Sequence, residues 1–170
     1  MIMNTLSYEP SKWTASYKKE KNDLLYLLSN FNIGISHIGA TSVPAGRSNR
    51  NIDVLIVAES IADVSSVTVK LQANGYKYIN YMSTHECSLL VKQKRVEGCG
   101  VTVRVVAYAS DTYNRINAFM TYLKESNSRI QSYNNFREAL SQKCGNDWKS
   151  YYRHKKDYIN EIIEENFKFE

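Results

Sequence analysis

The segments HIGATSVP at residues 37–44 and IDVLIVA at residues 52–58 are the most informative about the fold of this chain. We expect residues 34–38 to form a short strand, and the nearly continuous apolar run at 52–58 is typical of a strand covered on both faces. The glycine turn between them lets backbone N–H groups approach an anion closely, and hydroxyl side chains or a short helix N-terminus complete a phosphate cradle. The pattern therefore predicts a strand, an anion-binding turn and a second strand.

Asp53 is the one charged residue of the second strand, where an unpaired charge would be costly. A carboxylate near the start of this strand can face the same cleft as the turn and hold a divalent cation, which prefers oxygen ligands. Phosphate held by backbone groups and metal held by a carboxylate is the general arrangement for transferring phosphoryl or nucleotidyl groups. The alternative is an ordinary β-turn in which Asp53 pairs with Arg47 or Arg50. Those two arginines lie in the intervening loop, where they either meet phosphate oxygens or remain in solvent.

The rest of the chain predicts an α+β fold in a single domain, residues 1–170. A helical pattern begins at Ser11, and Ser60 is placed to cap a second helix that Gly75 ends. Further strands are predicted at 76–80, 87–93 and 101–107, the last two joined as a hairpin.

After Ser110 the spacing of apolar residues becomes helical and remains so. Breaks at 126–128 and 145–147 divide this part into three helices. Lys155 follows Tyr151 by four residues, so the two share one helical face. We expect the helices to pack against one face and one end of a small mixed sheet.

Composition restricts the classes of function that remain. The 170 residues carry a net charge of +5, which permits an anionic ligand without requiring one. No apolar run is long enough for a membrane helix, and the N-terminus does not have the pattern of a secretory signal. The three cysteines have no CxxC spacing, which argues against a disulfide framework or a zinc site and favours a reducing cytoplasm.

The segment HIGATSVPAG, with IDVLI after it, resembles the signature of the GrpB-like family in the nucleotidyltransferase superfamily. The fifteen-residue span from Gly39 to Asp53 fits that signature without a gap. Single-position matches continue along nearly the whole chain, at Tyr8, Pro10, Trp13, Glu20, Gly75, Tyr76, Phe119, Tyr122, Leu123, Tyr133, Leu140, Asp147, Tyr151 and Lys155. The resemblance implies a nucleotidyltransferase-like small mixed sheet with an N-terminal helix and a helical C-terminal third. It also implies that the glycine turn binds nucleotide phosphates and that the aspartate strand binds metal.

Several positions depart from the family pattern. The second acid of the superfamily is replaced by Leu55, which cannot bind a metal. Ala40 stands where the family has a serine, and Asn49 stands where it has a lysine. The family's His-x-His sequence is replaced by Thr102-Val103-Arg104. Two-metal transfer needs several converging carboxylates, and the acids that flank the late strands are Glu86 and Asp111.

Two functions follow. The first is transfer of a nucleotidyl group from a nucleoside triphosphate to an unknown acceptor, with Asp53 as catalytic residue and ligand of Mg²⁺. The second is a non-catalytic module that binds a nucleotide or another phosphorylated small molecule, favoured by the fixed cation at Arg104. A structural protein with a vestigial cleft is less favoured, and nucleic acid remains open as a partner. The predicted phosphate-binding residues are Gly39, Thr41, Ser42, Arg47, Arg50, Arg104 and Lys155.

Overall fold

The computed structural model describes residues 6–168 of the chain. Its elements follow the order α–β–β–α–β–β–β–α–α–α. The helices are α1 (Pro10–Leu27), α2 (Ile61–Gln72), α3 (Asp111–Glu125), α4 (Asn127–Cys144) and α5 (Trp148–Asn166). The strands are β1 (Ile33–Ile38), β2 (Asn51–Ala58), β3 (Tyr76–Tyr78), β4 (Cys87–Lys92) and β5 (Gly100–Ala107). Short 3-10 helices follow β1 at Ala40–Ser42 and β3 at Asn80–Met82.

The five strands form one mixed sheet in the order β1-β2-β5-β4-β3. The central pair, β2 and β5, is parallel, and the other neighbours are antiparallel. The mixed sheet and the α+β class are therefore as predicted. The third predicted strand is shorter than expected, because the chain turns into the 3-10 helix two residues after Tyr78.

Helices cover both faces of the sheet, so the expectation that they pack against one face and one end is wrong. Successive side chains of a strand point to opposite faces, and both sets on β2 are largely apolar. One set packs with α1 and α2 around Ile52, Val54 and Ile56. The other set packs with α3, α4 and α5 around Leu55. We call these the α1–α2 face and the α3–α5 face.

Side-chain caps fix where several helices begin. The hydroxyl of Ser60 accepts a hydrogen bond from the Asp63 N–H at the start of α2, as predicted. Ser110 caps α3, and Ser126 alone separates α3 from α4, so the break there is shorter than expected. Such caps satisfy N–H groups that lack a partner within the helix.

Glu20 on α1 lies fully buried at the α1–α2 face and has two partners. Its carboxylate accepts hydrogen bonds from the Tyr76 hydroxyl at 2.5 Å and from Lys92 Nζ at 2.6 Å. Within residues 6–168, the three cysteines are free thiols and no helix has the length and hydrophobicity needed to cross a bilayer.

Candidate functional site

The glycine turn and the predicted carboxylate lie against each other. In the antiparallel β1–β2 pair Ile38 is the partner of Asp53, so the next residue, Gly39, reaches the carboxylate. Gly39 has φ 73° and ψ −173°, a conformation that is essentially restricted to glycine. A Cβ atom added there would lie 2.8 Å from Asp53 Oδ2, so only glycine lets the backbone approach this closely.

The side-chain hydroxyls of the turn are engaged within the chain. Ser42 Oγ donates to the Gly39 carbonyl at 2.8 Å, and Thr41 Oγ1 lies 2.9 Å from His37 Nε2. The Gly39 N–H points at the Met120 sulfur, 3.1 Å away. The N–H groups of Ala40 and Thr41 have no hydrogen-bond partner in the described part of the chain. These two backbone groups are therefore the donors that the turn offers to an oxyanion.

His37 faces away from the carboxylate, toward α1. Its ring stacks on Tyr17, with centroids 4.5 Å apart. Burial lowers the pKa of His37 to about 4, and the charge of Asp53 opposes this shift only in part. The imidazole is therefore neutral at pH 7 and connects the turn to α1.

Asp53 is partly buried and has no hydrogen-bond or ion-pair partner among residues 6–168. Arg47 Nη1 instead pairs with Glu138 at 3.1 Å, and Arg50 Nε lies 3.6 Å from Glu9. The alternative in which Asp53 pairs with one of these arginines is therefore wrong. The structure brings neither guanidinium onto the carboxylate, and contact of either with a phosphate stays a prediction.

The set of possible metal ligands around Asp53 is small. Leu55, two residues on, is 1% exposed and belongs to the core. Thr102 is the Cα partner of Asp53 on β5, and its hydroxyl accepts a hydrogen bond from Asn51 Nδ2 at 2.8 Å. Residues 6–168 contain no group of three His, Cys, Asp or Glu side chains arranged to hold a metal.

Glu86 and Asp111 lie at the other end of the sheet from Asp53. The Glu86 carbonyl accepts from the Ala107 N–H, and Ala107 is level with the last residue of β2. Five residues of extended strand separate that level from Asp53, or about 16 Å. One carboxylate fits a single Mg²⁺ that shares its coordination with ligand phosphates, but it does not fit a two-metal centre.

Helices α4 and α5 pack on the same face of the sheet as Leu55, toward which the Asp53 side chain also projects. Arg104 on β5 and Lys155 on α5 are partly buried and form no ion pair in the described region. Burial raises the pKa of Tyr152. The positive charges of Lys155 and Arg104 lower this pKa, and the negative charge of Asp53 raises it. Burial likewise raises the pKa of Tyr133 to about 12. The charges of Asp53 and Arg104 therefore reach both tyrosines, and the charge of Lys155 reaches Tyr152.

Two polar residues of α4 hold the loop that follows the turn. Asn134 is fully buried; its Oδ1 accepts from the Arg47 N–H at 3.1 Å and its Nδ2 donates to the Ala45 carbonyl at 2.9 Å. Arg137 donates to the Arg47 carbonyl. Sequence reasoning assigned no role to either residue. The available signal was that polar residues occupy positions in an otherwise apolar helical stripe between Ile130 and Leu140.

A row of aromatic side chains leads from Tyr152 on α5 to the exposed Trp148. Tyr152 packs edge-on against Trp148 at a centroid distance of 5.7 Å, and Trp148 lies 5.5 Å from Tyr81. Trp148 is 42% exposed, whereas the second tryptophan, Trp13, is buried at the α1–α2 face. Fluorescence from Trp148 can therefore report on this side of the molecule.

Comparison with known proteins agrees with this architecture. A family model described as GrpB protein matches residues 5–165. The glutamate-rich protein GrpB of Alkalihalophilus pseudofirmus is 26% identical over 156 residues, which cover 90% of each chain. The crystal structure of the conserved protein GrpB from Enterococcus faecalis superposes with a TM-score of 0.76 at 25% identity, covering 94% of this chain and 95% of that one.

A more distant structural neighbour is the Cid1 poly(U) polymerase bound to MgATP. Its TM-score is 0.50 at 11% identity, over 82% of this chain and 42% of the polymerase. At that identity the likeness concerns the fold alone. With the family match covering nearly the whole chain, it follows that this protein belongs to the GrpB family and has a nucleotidyltransferase-like fold.

Proposed function

We propose that this protein binds a nucleoside triphosphate or another phosphorylated small molecule in the cleft between the Gly39–Ser42 turn and helices α4 and α5. The observation that carries the proposal is the close approach of the Gly39 backbone to Asp53, a carboxylate that has no hydrogen-bond or ion-pair partner among residues 6–168. The phosphates bind the free N–H groups of the turn. Arg104 and Lys155 balance their charge.

Asp53 binds one magnesium ion together with the phosphate oxygens. Magnesium in proteins is commonly held by one or two carboxylates and by substrate phosphates, so one aspartate is a sufficient protein ligand for this role. When bound, the ion neutralises phosphate charge. Without it, Asp53 repels the phosphates, so ligand affinity depends on the metal.

Nucleotidyl transfer is the second candidate, and the Cid1-like fold favours it. Binding without transfer agrees better with the geometry, because Leu55 is buried and Arg104 stands where the family has a histidine. A fixed cation holds an anion but does not exchange protons at neutral pH.

The three free thiols agree with the cytoplasm as the compartment.

Isothermal titration calorimetry with ATP, GTP, CTP and UTP, with and without Mg²⁺, tests the proposal. We expect saturable binding that magnesium strengthens, accompanied by a change in Trp148 fluorescence. The Asp53→Asn variant should lose the magnesium effect, while Asp157→Asn, an exposed aspartate of α5, should behave like the wild type. Absence of binding to the four nucleotides and to inorganic tripolyphosphate, in either condition, would overturn the proposal. Release of pyrophosphate with pooled acceptors would establish the transferase instead.

A further inference from the structure

Arg137 on α4 is a buried cation without an anion. Its side chain is 7% exposed, and no carboxylate of residues 6–168 lies within ion-pair distance of it. Nη2 donates to the Arg47 carbonyl and to Asn134 Oδ1, and the guanidinium carbon lies 4.7 Å from the centre of the Tyr133 ring. The Nε atom is buried and has no hydrogen-bond partner in the part of the chain that the structure describes.

This arrangement differs from that of a structural buried charge. An unpaired ion in a protein interior is strongly unfavourable, and a neutral carbonyl and an amide offset only part of the cost. Glu20, the fully buried acid of the same chain, is paired directly with Lys92. Arg137 therefore has a positive charge and an N–H donor that the described residues do not satisfy, and an anion would satisfy both.

The position of Arg137 identifies which anion would reach it. Through the Arg47 carbonyl it contacts the loop that follows the Gly39–Ser42 turn. Burial raises the pKa of Tyr151. The positive charges of Lys155 and Arg137 lower this pKa, and the negative charge of Asp53 raises it, so all three charges lie within electrostatic range of the Tyr151 hydroxyl. Arg137 thus contacts the loop next to the turn, and a ligand at the turn and Asp53 would lie in the electrostatic field of Arg137 and Lys155.

We propose that Arg137, with Lys155, forms an anion subsite for the terminal phosphates of an oligophosphate ligand. The inference rests on the proposed function and narrows it, because the ligand then carries a di- or triphosphate chain rather than a single phosphate. A guanidinium suits this task, since it keeps its charge at any working pH and its donors form strong hydrogen bonds to phosphate oxygens.

Calorimetric affinities for Mg²⁺-tripolyphosphate, MgATP and AMP test this assignment. We expect Arg137→Gln to weaken binding of tripolyphosphate and ATP by about tenfold to a hundredfold, the range for a lost charge-assisted hydrogen bond, and to change AMP affinity by less than about twofold. Arg137→Lys should be intermediate, because lysine keeps the charge but loses the planar donors. Arg129→Gln, on the same helix and paired with Glu125, is the matched control and should resemble the wild type.

A second comparison separates anion binding from a purely structural role. Asn134→Ala removes the hydrogen bonds that hold the loop but keeps the Arg137 charge. It should therefore weaken the binding of AMP and of ATP to a similar extent. If Arg137→Gln gives this same equal loss, Arg137 only positions the loop and the inference fails. If Arg137→Gln does not fold, judged by circular dichroism, Lys155→Gln provides the same selective test.

The inference and the proposed function fail in different ways. Tight wild-type binding of tripolyphosphate that survives Arg137→Gln overturns the subsite and leaves the proposed function intact. A wild-type protein that binds neither tripolyphosphate nor any nucleotide overturns both. Selective loss of oligophosphate binding in Arg137→Gln and Lys155→Gln establishes the subsite.

Discussion

The two faces of the sheet differ in whether their charged side chains have partners. On the α1–α2 face, the carboxylate of Glu20 is fully enclosed and bonded to Tyr76 and Lys92. On the α3–α5 face, Asp53 and Arg137 are left without any charged partner among residues 6–168. The buried charge of the first face is therefore paired, whereas the carboxylate and the guanidinium of the second face have no charged partner in the described part of the chain. Uncompensated charge concentrated on one face is typical of a binding site rather than of a stabilising core.

The largest expected effect is on the α1–α2 face. Glu20→Ala should lower the free energy of unfolding by about 3–5 kcal/mol, because it leaves Lys92 and the Tyr76 hydroxyl without their buried partner. Urea denaturation measures the change. The double variant Glu20→Leu/Lys92→Met, which removes both charges, should recover most of the loss. A cost below about 1 kcal/mol for Glu20→Ala would show that this charge is not structural.

Gly39→Ala should be the next most damaging change and should affect both stability and binding. The backbone conformation excludes a side chain, and the added Cβ would contact Asp53 Oδ2, so we expect a loss of about 2–3 kcal/mol. Gly75→Ala is the matched control, since its φ is also positive, at 86°, but its Cβ would meet open space. Ligand affinity should fall only in Gly39→Ala. Equal behaviour of the two variants would contradict the close approach of turn and carboxylate.

The protonation of His37 should give the α1–α2 side a distinct pH dependence. Because burial holds the pKa of this imidazole near 4, against an ordinary value of 6.5, the unfolded chain binds more protons than the folded one between these values. Stability should therefore fall as the pH drops from 6.5 to 4. With one pKa unit equal to about 1.4 kcal/mol and a partly exposed ring, the expected contribution is on the order of 1–2 kcal/mol.

The His37→Gln variant isolates this contribution. Unfolding free energies measured at pH 7 and pH 4.5 should differ less in the variant than in the wild type, because glutamine does not titrate. The same pH dependence in both proteins would mean that other groups cause the acid destabilisation.

The smallest expected effect on stability is that of Asp53→Asn, although its effect on ligand binding should be large. No internal partner is lost, so the free energy of unfolding should stay within about 0.5 kcal/mol of the wild type. The same urea titration used for Glu20→Ala gives a direct comparison of one carboxylate from each face. A loss greater than about 1.5 kcal/mol would show that Asp53 supports the fold and would weaken the contrast between the faces.

Much of the fold could be predicted because it depends on residues close together in the chain. The apolar run of β2 predicts a strand buried on both sides, and the serine at position 60 predicts the start of α2. The glycine turn before Asp53 could also be found, since both belong to one short segment. Thr41 and Ser42 were recognised as part of that turn, but the internal hydrogen bonds of their hydroxyls could not be predicted from residue type.

Most of the helices and strands, the turn and the carboxylate next to it can thus be predicted from residue order alone, because periodicity, capping and backbone conformation are local properties. The packing of the folded chain was needed to show that helices cover both faces, that Arg47 pairs with Glu138 and that Arg50 pairs with Glu9. It also placed Arg137 against the loop at Arg47, 90 positions away along the chain. A charged side chain can pair with any group that packing brings to it. Its partner is fixed only when helices distant in sequence come to rest on the same face of the sheet.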